Sequence, residues 1–535
     1  IISNINYKLI SVLLINIYLN GADYLIYTTK DFESSANLMS NFHEIEMGQL
    51  VIQGSLDTEI IFKEDLEEIN QTIEQYISEH TNLIYLLIIG DETIIEPKYY
   101  FSTPTDDLFA YDVISNYPIP KLKTGRLIAS NNNEAEQQIN KIRNYTIDYL
   151  NSESGMWKNK LLLLADDQYQ SGNSIREEKY HTLLSTKIQE TLNNLIPIIP
   201  IYGIDYPRQQ TSDWYLQPEL TEDLIETINS GVGIINYIGH GTHEILSTED
   251  LLSLDRDLDL IQTNNKPPIW IVGTCSFGDY IDKNSMAEAL MLSEDAAIAV
   301  IATTNGISPE SNWHYLKNFF NVHLKNHIES NPTTNGLPRL GDVFYDAKIS
   351  ALTTALSNQY PNNVYGGYRF NIFGDPAMPL QIAYENNEIA NIDTLLIGEP
   401  NILTVNSGNL SLQTHIKISD EDKTINHTFN YEVNGEEYNP SIIDSCLQFP
   451  HLFDYIVNPE TNDSSICFDN INYSIPGVSL YENSFMHTSN FYIPLEIDIN
   501  NHLKAFIHNK ESIECISDIP VQISNNLNVI DDING

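Results

Sequence analysis

The chain is short of cysteine, of basic residues and of long apolar runs, and each shortage narrows what it can be. Four cysteines in 535 residues are too few for a disulfide framework, so the fold must rest on hydrophobic cores rather than covalent staples. Three of them, Cys446, Cys467 and Cys515, lie in the C-terminal third and could supply one bridge, with the pairing left open. Cys275 stands apart from them, as a free thiol would. Lys and Arg number 27 against 73 Asp and Glu, a formal net charge of −46. That balance argues against nucleic acid and anionic membrane surfaces, both of which reward clustered cations. An acidic shell foremost confers solubility, and it would also attract basic substrates. No run reaches the ~18 apolar residues of a membrane-spanning helix. Phosphate-binding glycine motifs after a strand are missing, and so are Cys-x-x-Cys and His-Glu-x-x-His spacings, which disfavours nucleotide and zinc chemistry.

What is present is a folded composition, 42% hydrophobic, on a chain long enough for several domains of roughly 100–200 residues. Residues 9–19 resemble a short signal core but lack a cleavage site, and they read as a strand; residues 1–20 are expected to be the tail of an upstream β region. From 21 to 150, apolar runs of strand length at 23–29 and 83–89 alternate with helical periodicity. Ser34 to Phe42 starts a helix, and Leu66, Ile69, Ile73, Tyr76 and Ile77 recur at helical spacing between Glu64 and Glu79. A second round, 151–384, sets strands Leu161–Ala165, 196–204, 234–238, 269–273 and 297–302 among helices at about 176–193 and 221–230, the latter stopped by Gly231. Such alternation predicts an α/β fold with a parallel sheet in two subdomains. After residue 385 short alternating segments and an Asn434-Gly435 turn take over, predicting an all-β sandwich over 385–535.

The chemistry concentrates at residues 234–280. Ile234-Ile-Asn-Tyr-Ile238 ends in Gly239-His240-Gly241, and Ile269-Trp-Ile-Val-Gly273 ends in Thr274-Cys275-Ser276-Phe277-Gly278. Open α/β sheets place ligands at the carboxyl ends of their strands. If these two strands are neighbours, an imidazole and a thiol meet on one edge. A thiol attacks acyl groups as thiolate, and a nearby imidazole supplies the base and later the acid. Gly241 and Cys275 could offer backbone amides as an oxyanion hole. Asp166, ending its own strand, is the best-placed acid to orient His240, although Asp at a strand end is also an ordinary helix cap. A lone buried cysteine is usually a small hydrophobe and a lone strand-end histidine usually structural; together, each beside glycine, they point to catalysis. His181 and His243 read as structural or substrate-facing.

On Asn236-Tyr-Ile-Gly-His-Gly241 and Thr274-Cys-Ser-Phe-Gly278 the chain resembles the gingipain family of cysteine peptidases, and within it the sortases of the type IX secretion system. The likeness extends to Ala22-Asp-Tyr-Leu-Ile26, Thr124-Gly-Arg-Leu127, Leu163-Leu-Ala-Asp-Asp167, Ala297–Thr304, Leu340-Gly-Asp342 and Phe373-Gly-Asp-Pro-Ala377. It implies a caspase-like peptidase unit in two subdomains followed by an immunoglobulin-like domain. By motif position it makes Cys275 and His240 the catalytic pair, Gly241 the oxyanion glycine and Asp166 the acidic partner of the histidine. Glu178 and Asn305 become candidates for the substrate pocket. Expected substrates are secreted cargo proteins bearing a C-terminal signal domain, cleaved through a Cys275 thioester, with transfer of the new carboxyl end to a surface lipopolysaccharide. Expected partners are other outer-membrane components of that system, at the bacterial cell surface. No cofactor is required; calcium is an optional structural ion, for which the Asp106-Asp107 and Asp112 loop offers hard oxygen ligands. The alternatives are a secreted general protease of the same family and a catalytically silent scaffold subunit.

Overall fold

The computed structural model describes residues 22–382, apart from 48–53, 149–155, 168–178, 194, 213–214, 282–283, 330–337, 358–363 and 365, and beyond 382 it describes strand backbone between 384 and 523. The expectation for residues 1–20 therefore lies outside the described residues. The organising element is one ten-stranded sheet. Its strands are β1 (Tyr24–Thr28), β2 (Thr58–Phe62), β3 (Tyr85–Ile89), β4 (Lys123–Leu127), β5 (Leu161–Ala165), β6 (Ile198–Tyr202), β7 (Ile234–Ile238), β8 (Ile269–Gly273), β9 (Ala299–Thr303) and β10 (Phe370–Phe373). Across the sheet they run β6-β5-β7-β8-β9-β10-β4-β3-β1-β2.

Every pairing is parallel except that of β9 with β10, where Thr303 faces Phe370 and Val300 faces Phe373. The sheet therefore has two halves of opposite direction. Residues 24–127 build one and residues 161–303 build the other, and β10 joins them in the middle. Strands β1, β3, β5, β7, β8 and β9 are the mostly apolar, fully buried runs expected of strands covered on both faces. Leu161 to Ala165 are wholly buried, and burial of each large apolar side chain is worth about 1.5–3 kcal/mol. Helices α1 (Glu33–Asn41), α2 (Asn132–Asp148), α3 (Lys179–Leu192), α4 (Pro218–Ser230), α5 (Met286–Leu292), α6 (Pro309–Lys317) and α7 (Leu340–Ser357) accompany them. Ile139, Ile142 and Tyr145 of α2 are all buried, as their spacing predicts. Gly231 ends α4 at φ +100.

The helix expected over 64–79 is interrupted. It forms two short helices, Lys63–Glu68 and Ile73–Glu79, because Asn70 turns left-handed at φ +52 and Thr72 with Gln75 makes a capping box that starts the second. Ile69, counted in the periodic face, is 65% exposed.

The motifs outside the histidine and cysteine turns converge where the half-sheets meet. Phe373 pairs with Arg126, and a Cβ on Gly125 would lie 2.8 Å from Pro376 Cδ. Gly341 donates its amide to Pro376 O at 2.7 Å. Asp375, buried, accepts from Tyr24 Oη at 2.8 Å and faces His43 Nε2 at 2.8 Å. Asp342 accepts from Tyr85 Oη at 2.7 Å and Lys123 Nζ at 2.5 Å. These residues tie the seam of the fold together.

Every described element after residue 382 is a strand, in sheets that include one of five and one of four strands. Their register sets Cys446 opposite Cys467. No described helix is long and apolar enough to cross a membrane.

Candidate active site

Strands β5, β7 and β8 are consecutive neighbours, with Ala165 level with Ile238 and Ile238 level with Gly273. Asp166 follows the first of these by one residue, and His240 and Cys275 follow the second and third by two. The parallel register alone thus brings all three to one sheet edge. It is the carboxyl edge, where open α/β sheets put their chemistry.

The turn after β7 is clamped through its backbone. Asp166 Oδ2 accepts from the His240 amide at 2.9 Å. The His240 carbonyl accepts from Tyr237 Oη at 2.6 Å and from the Ser247 amide at 2.8 Å. Both flanking glycines are required by close approach. A Cβ on Gly239 would run into Tyr237 Oη and Asp166 Cβ, and one on Gly241 would lie 2.9 Å from both Ile245 O and Thr274 Oγ1. Gly241 is therefore packed directly on the residue preceding Cys275. The ring of His181, itself buried, meets the His240 ring edge-on at 5.3 Å between centroids. Burial and then the charge of His240 push His181 down to about 4, so it is a neutral partner at physiological pH. His243 stands aside, part-exposed, with Nε2 3.5 Å from Glu244.

Around Cys275 the chain turns abruptly. Ser276 sits at φ +56, a left-handed conformation uncommon for a residue with a side chain and often found at functional sites. Asn312 Nδ2 donates to Gly273 O at 2.6 Å, and the Gly278 amide donates to Thr303 O at 2.8 Å. The loop after β9 wraps the thiol: the Ile307 amide points at Cys275 Sγ from 3.3 Å. Cys275 is partly exposed and unbridged, as a nucleophile must be.

Asp166 is entirely buried in a web the sequence did not announce. Ser247 Oγ lies 2.7 Å from Asp166 Oδ1 and 2.7 Å from Glu249 Oε2. One hydroxyl proton cannot serve both, so the web is complete when one of the two carboxyls is protonated. Burial raises Asp166 to about 6, against the hydrogen bonds from Ser247 and the His240 amide that favour its charged form. Arg208 contacts Asp167 at 3.5 Å and Glu249 at 3.1 Å. The acidic trio Asp166, Asp167 and Glu249, whose ligand atoms lie within 4.8 Å of one another, thus already contains a cation. Ser247 and Glu249 sit on a loop beyond the motif, and only a fold could bring them to Asp166.

The other candidates fare differently. Glu178 lies outside the described residues. Asn305 is hydrogen-bonded within its own loop region: Nδ2 donates to Ser102 O and Thr103 Oγ1, each at 3.3 Å, and Oδ1 accepts from the Gly306 amide at 2.7 Å. It buttresses the loop that wraps Cys275. The proposed calcium loop is also occupied by protein groups. Arg126 grips both oxygens of Asp106 at 2.8 and 2.7 Å, and Lys348 Nζ lies 2.6 Å from Asp107 Oδ2. Asp112 is 3.5 Å from Lys121. Each of those carboxylates is met by a cationic side chain in this structure. One residue was missed altogether: Arg369, immediately before β10, reaches the same edge because β10 runs against β9.

A family model for peptidase family C25 matches residues 17–381, a span containing the whole ten-stranded sheet and all three strand ends. This chain belongs to peptidase family C25. Gingipain R2 of Porphyromonas gingivalis is 22% identical over 266 residues, 47% of this chain and 34% of its own length. The chain therefore spans about a third of that curated relative. The crystal structure of the Arg-specific cysteine proteinase gingipain R is matched over 94% of this chain and 98% of its own, at TM-score 0.52 and 14% identity, which establishes the C25 fold. Dimeric latent PorU from Porphyromonas gingivalis is matched over 94% of this chain and 43% of its own, at TM-score 0.34 and 11% identity.

Proposed function

We propose that this C25 protein is a cysteine endopeptidase whose nucleophile is Cys275. The observation that supports the reading best is the shared register of β5, β7 and β8, which sets Asp166, His240 and Cys275 on adjacent strand ends. In this reading His240 takes the thiol proton and Sγ attacks the scissile carbonyl carbon. The Gly241 and Cys275 amides receive the developing oxyanion. The C–N bond then breaks, the amine leaves with the proton from His240, and a thioester remains on Cys275. Water resolves it to an acid, and an amine resolves it to a new amide. Asp166 acts through the backbone of His240, holding the loop in place.

The finer reading is a surface sortase that removes the C-terminal signal domain from type IX secretion cargo and passes the new carboxyl end to a lipopolysaccharide. It rests on the motif resemblance to the PorU type of sortase. It places the protein at the bacterial outer surface among the other components of that system, and it reads the strands after residue 384 as the immunoglobulin-like module. The second reading is a secreted general protease of the same family.

The deciding experiment is incubation of the protein and its Cys275→Ala variant with a tagged cargo bearing the signal domain, and with casein. We expect cargo processing to fall on the order of 10³-fold or more in the variant, as for a deleted nucleophile. Unchanged processing would overturn the enzyme reading in favour of a scaffold. Equal cleavage of casein and cargo by the unaltered protein would overturn the sortase reading alone.

A further inference from the structure

Five of the described arginines have partners. Arg126 holds Asp106, Arg143 holds Glu46, Arg208 holds Glu249, Arg256 holds Asp257, and Arg339 donates to Ala377 O and Gly54 O. With 73 acidic side chains against 27 basic ones, partners are plentiful. Arg369 is the exception among the described arginines: its guanidinium makes no hydrogen bond or ion pair with a described residue, and its Nε is buried without an acceptor. The residue as a whole is partly exposed, so the rest of the fork is open to a ligand while a buried, unpaired Nε is costly to keep.

Its place in the fold is at the candidate site. Because β10 runs against β9, the start of β10 lies at the carboxyl edge of β9, the edge that holds Cys275. The Arg369 carbonyl accepts from the Thr304 amide at 2.9 Å. Three residues further along that loop, the Ile307 amide touches Cys275 Sγ at 3.3 Å. The backbone at Arg369 is stiffened by its neighbour: Tyr368 packs on Tyr100 at 4.2 Å between centroids. Burial lowers Arg369 from its ordinary value, and the charge of Cys275 works the other way.

Resting on the cysteine-peptidase reading, we propose that Arg369 is a specificity residue that receives a carboxylate of the polypeptide substrate next to the scissile bond. Its planar fork matches a carboxylate with two parallel hydrogen bonds. Two sources present that chemistry: an Asp or Glu side chain, and the free C-terminus of the substrate. Next along the chain, Tyr368 joins Tyr100 and Phe101 in an aromatic cluster that offers no charge. Among the described arginines, Arg369 is then the one at this edge whose charge is not already committed to a carboxylate.

The test uses the full chain and peptide pairs that differ only as Glu against Gln at each position flanking the cut, or as free acid against C-terminal amide. For the source that is used, the acid-to-neutral ratio of kcat/KM is expected to be roughly 10- to 100-fold, the worth of a hydrogen bond to a charged group. In Arg369→Gln the ratio should collapse towards one, and Arg369→Lys should restore part of it. A preference in the first series identifies a side chain; one in the second identifies the terminus. An unchanged ratio in Arg369→Gln overturns the proposal, as does no acid preference in either series. The same pairs are then bound to the Cys275→Ala protein by fluorescence anisotropy, with and without Arg369→Gln. If nothing is cleaved, the peptidase reading fails, and the binding ratio still decides the role of Arg369.

Discussion

Replacing Asp166 with Asn should change the stability of the peptidase unit in opposite directions at acid and alkaline pH. The wild-type carboxyl is fully buried and raised to about 6, chiefly by burial, against an ordinary value near 3.9. The folded state therefore holds its proton more tightly than the unfolded state. That contribution is complete below about pH 4 and is lost as pH rises through about 6; the ionised form costs roughly 3 kcal/mol at pH 8. The amide introduced by Asp166→Asn carries no charge to desolvate. Its Oδ1 can keep the His240 amide and its Nδ2 can donate to Ser247 Oγ, which passes its own proton to Glu249 Oε2, 2.7 Å away. The Asp167 amide, which donates to Asp166 Oδ1 at 2.9 Å, loses its acceptor at about 1 kcal/mol. The variant is thus expected to be about 1 kcal/mol less stable at pH 3 and about 2 kcal/mol more stable at pH 8. Urea midpoints followed by fluorescence at the two pH values measure this, with Trp270 in β8 as a buried reporter. A variant less stable than wild type by the same amount at both pH values would refute the buried-charge argument.

Two further substitutions test other parts of the structure. Gly241→Ala places a methyl 2.9 Å from Ile245 O and Thr274 Oγ1, so turnover should fall by about 10²-fold, the scale of a lost oxyanion donor, with a much smaller change in melting temperature; normal turnover would show that the turn has room. Arg126→Ala strands the Asp106 carboxylate, 4% exposed, and should destabilise by about 3–5 kcal/mol in urea titration, whereas Arg126→Met with Asp106→Leu should recover much of that loss.

The site was legible where chemistry and strand pattern coincide. Ile234–Ile238 and Ile269–Gly273 are apolar runs that end in polar, glycine-flanked turns, and parallel pairing converts that pattern into proximity. The residues that hold the site were not legible, because they act through space. Ser247 and Glu249 reach Asp166 from across 81 and 83 positions of sequence, with no spacing to betray them. Asp166 reads as an acid for the histidine ring, yet its visible bond is to the backbone amide. Phe370–Phe373 reads as a closing segment; that it is inserted antiparallel in the middle of the sheet cannot be told from three apolar residues around Asn371, and so Arg369 went unseen. The break at Asn70 was hidden for the opposite reason, since Ile69 and Ile73 continue the apolar beat through a turn.

The central position of β10 has a consequence for how the chain comes into being. Residues 24–127 and 161–303 can each pair their own strands as they emerge, but β4 and β9 stay as open edges until residues 370–373 arrive to lie between them. A chain stopped between residues 303 and 370 carries two unpaired inner strand edges, the kind of edge that recruits other chains. The last strand of the sheet to be synthesised is thus its keystone, and assembly of the edge that bears Arg369 beside Cys275 must wait for it.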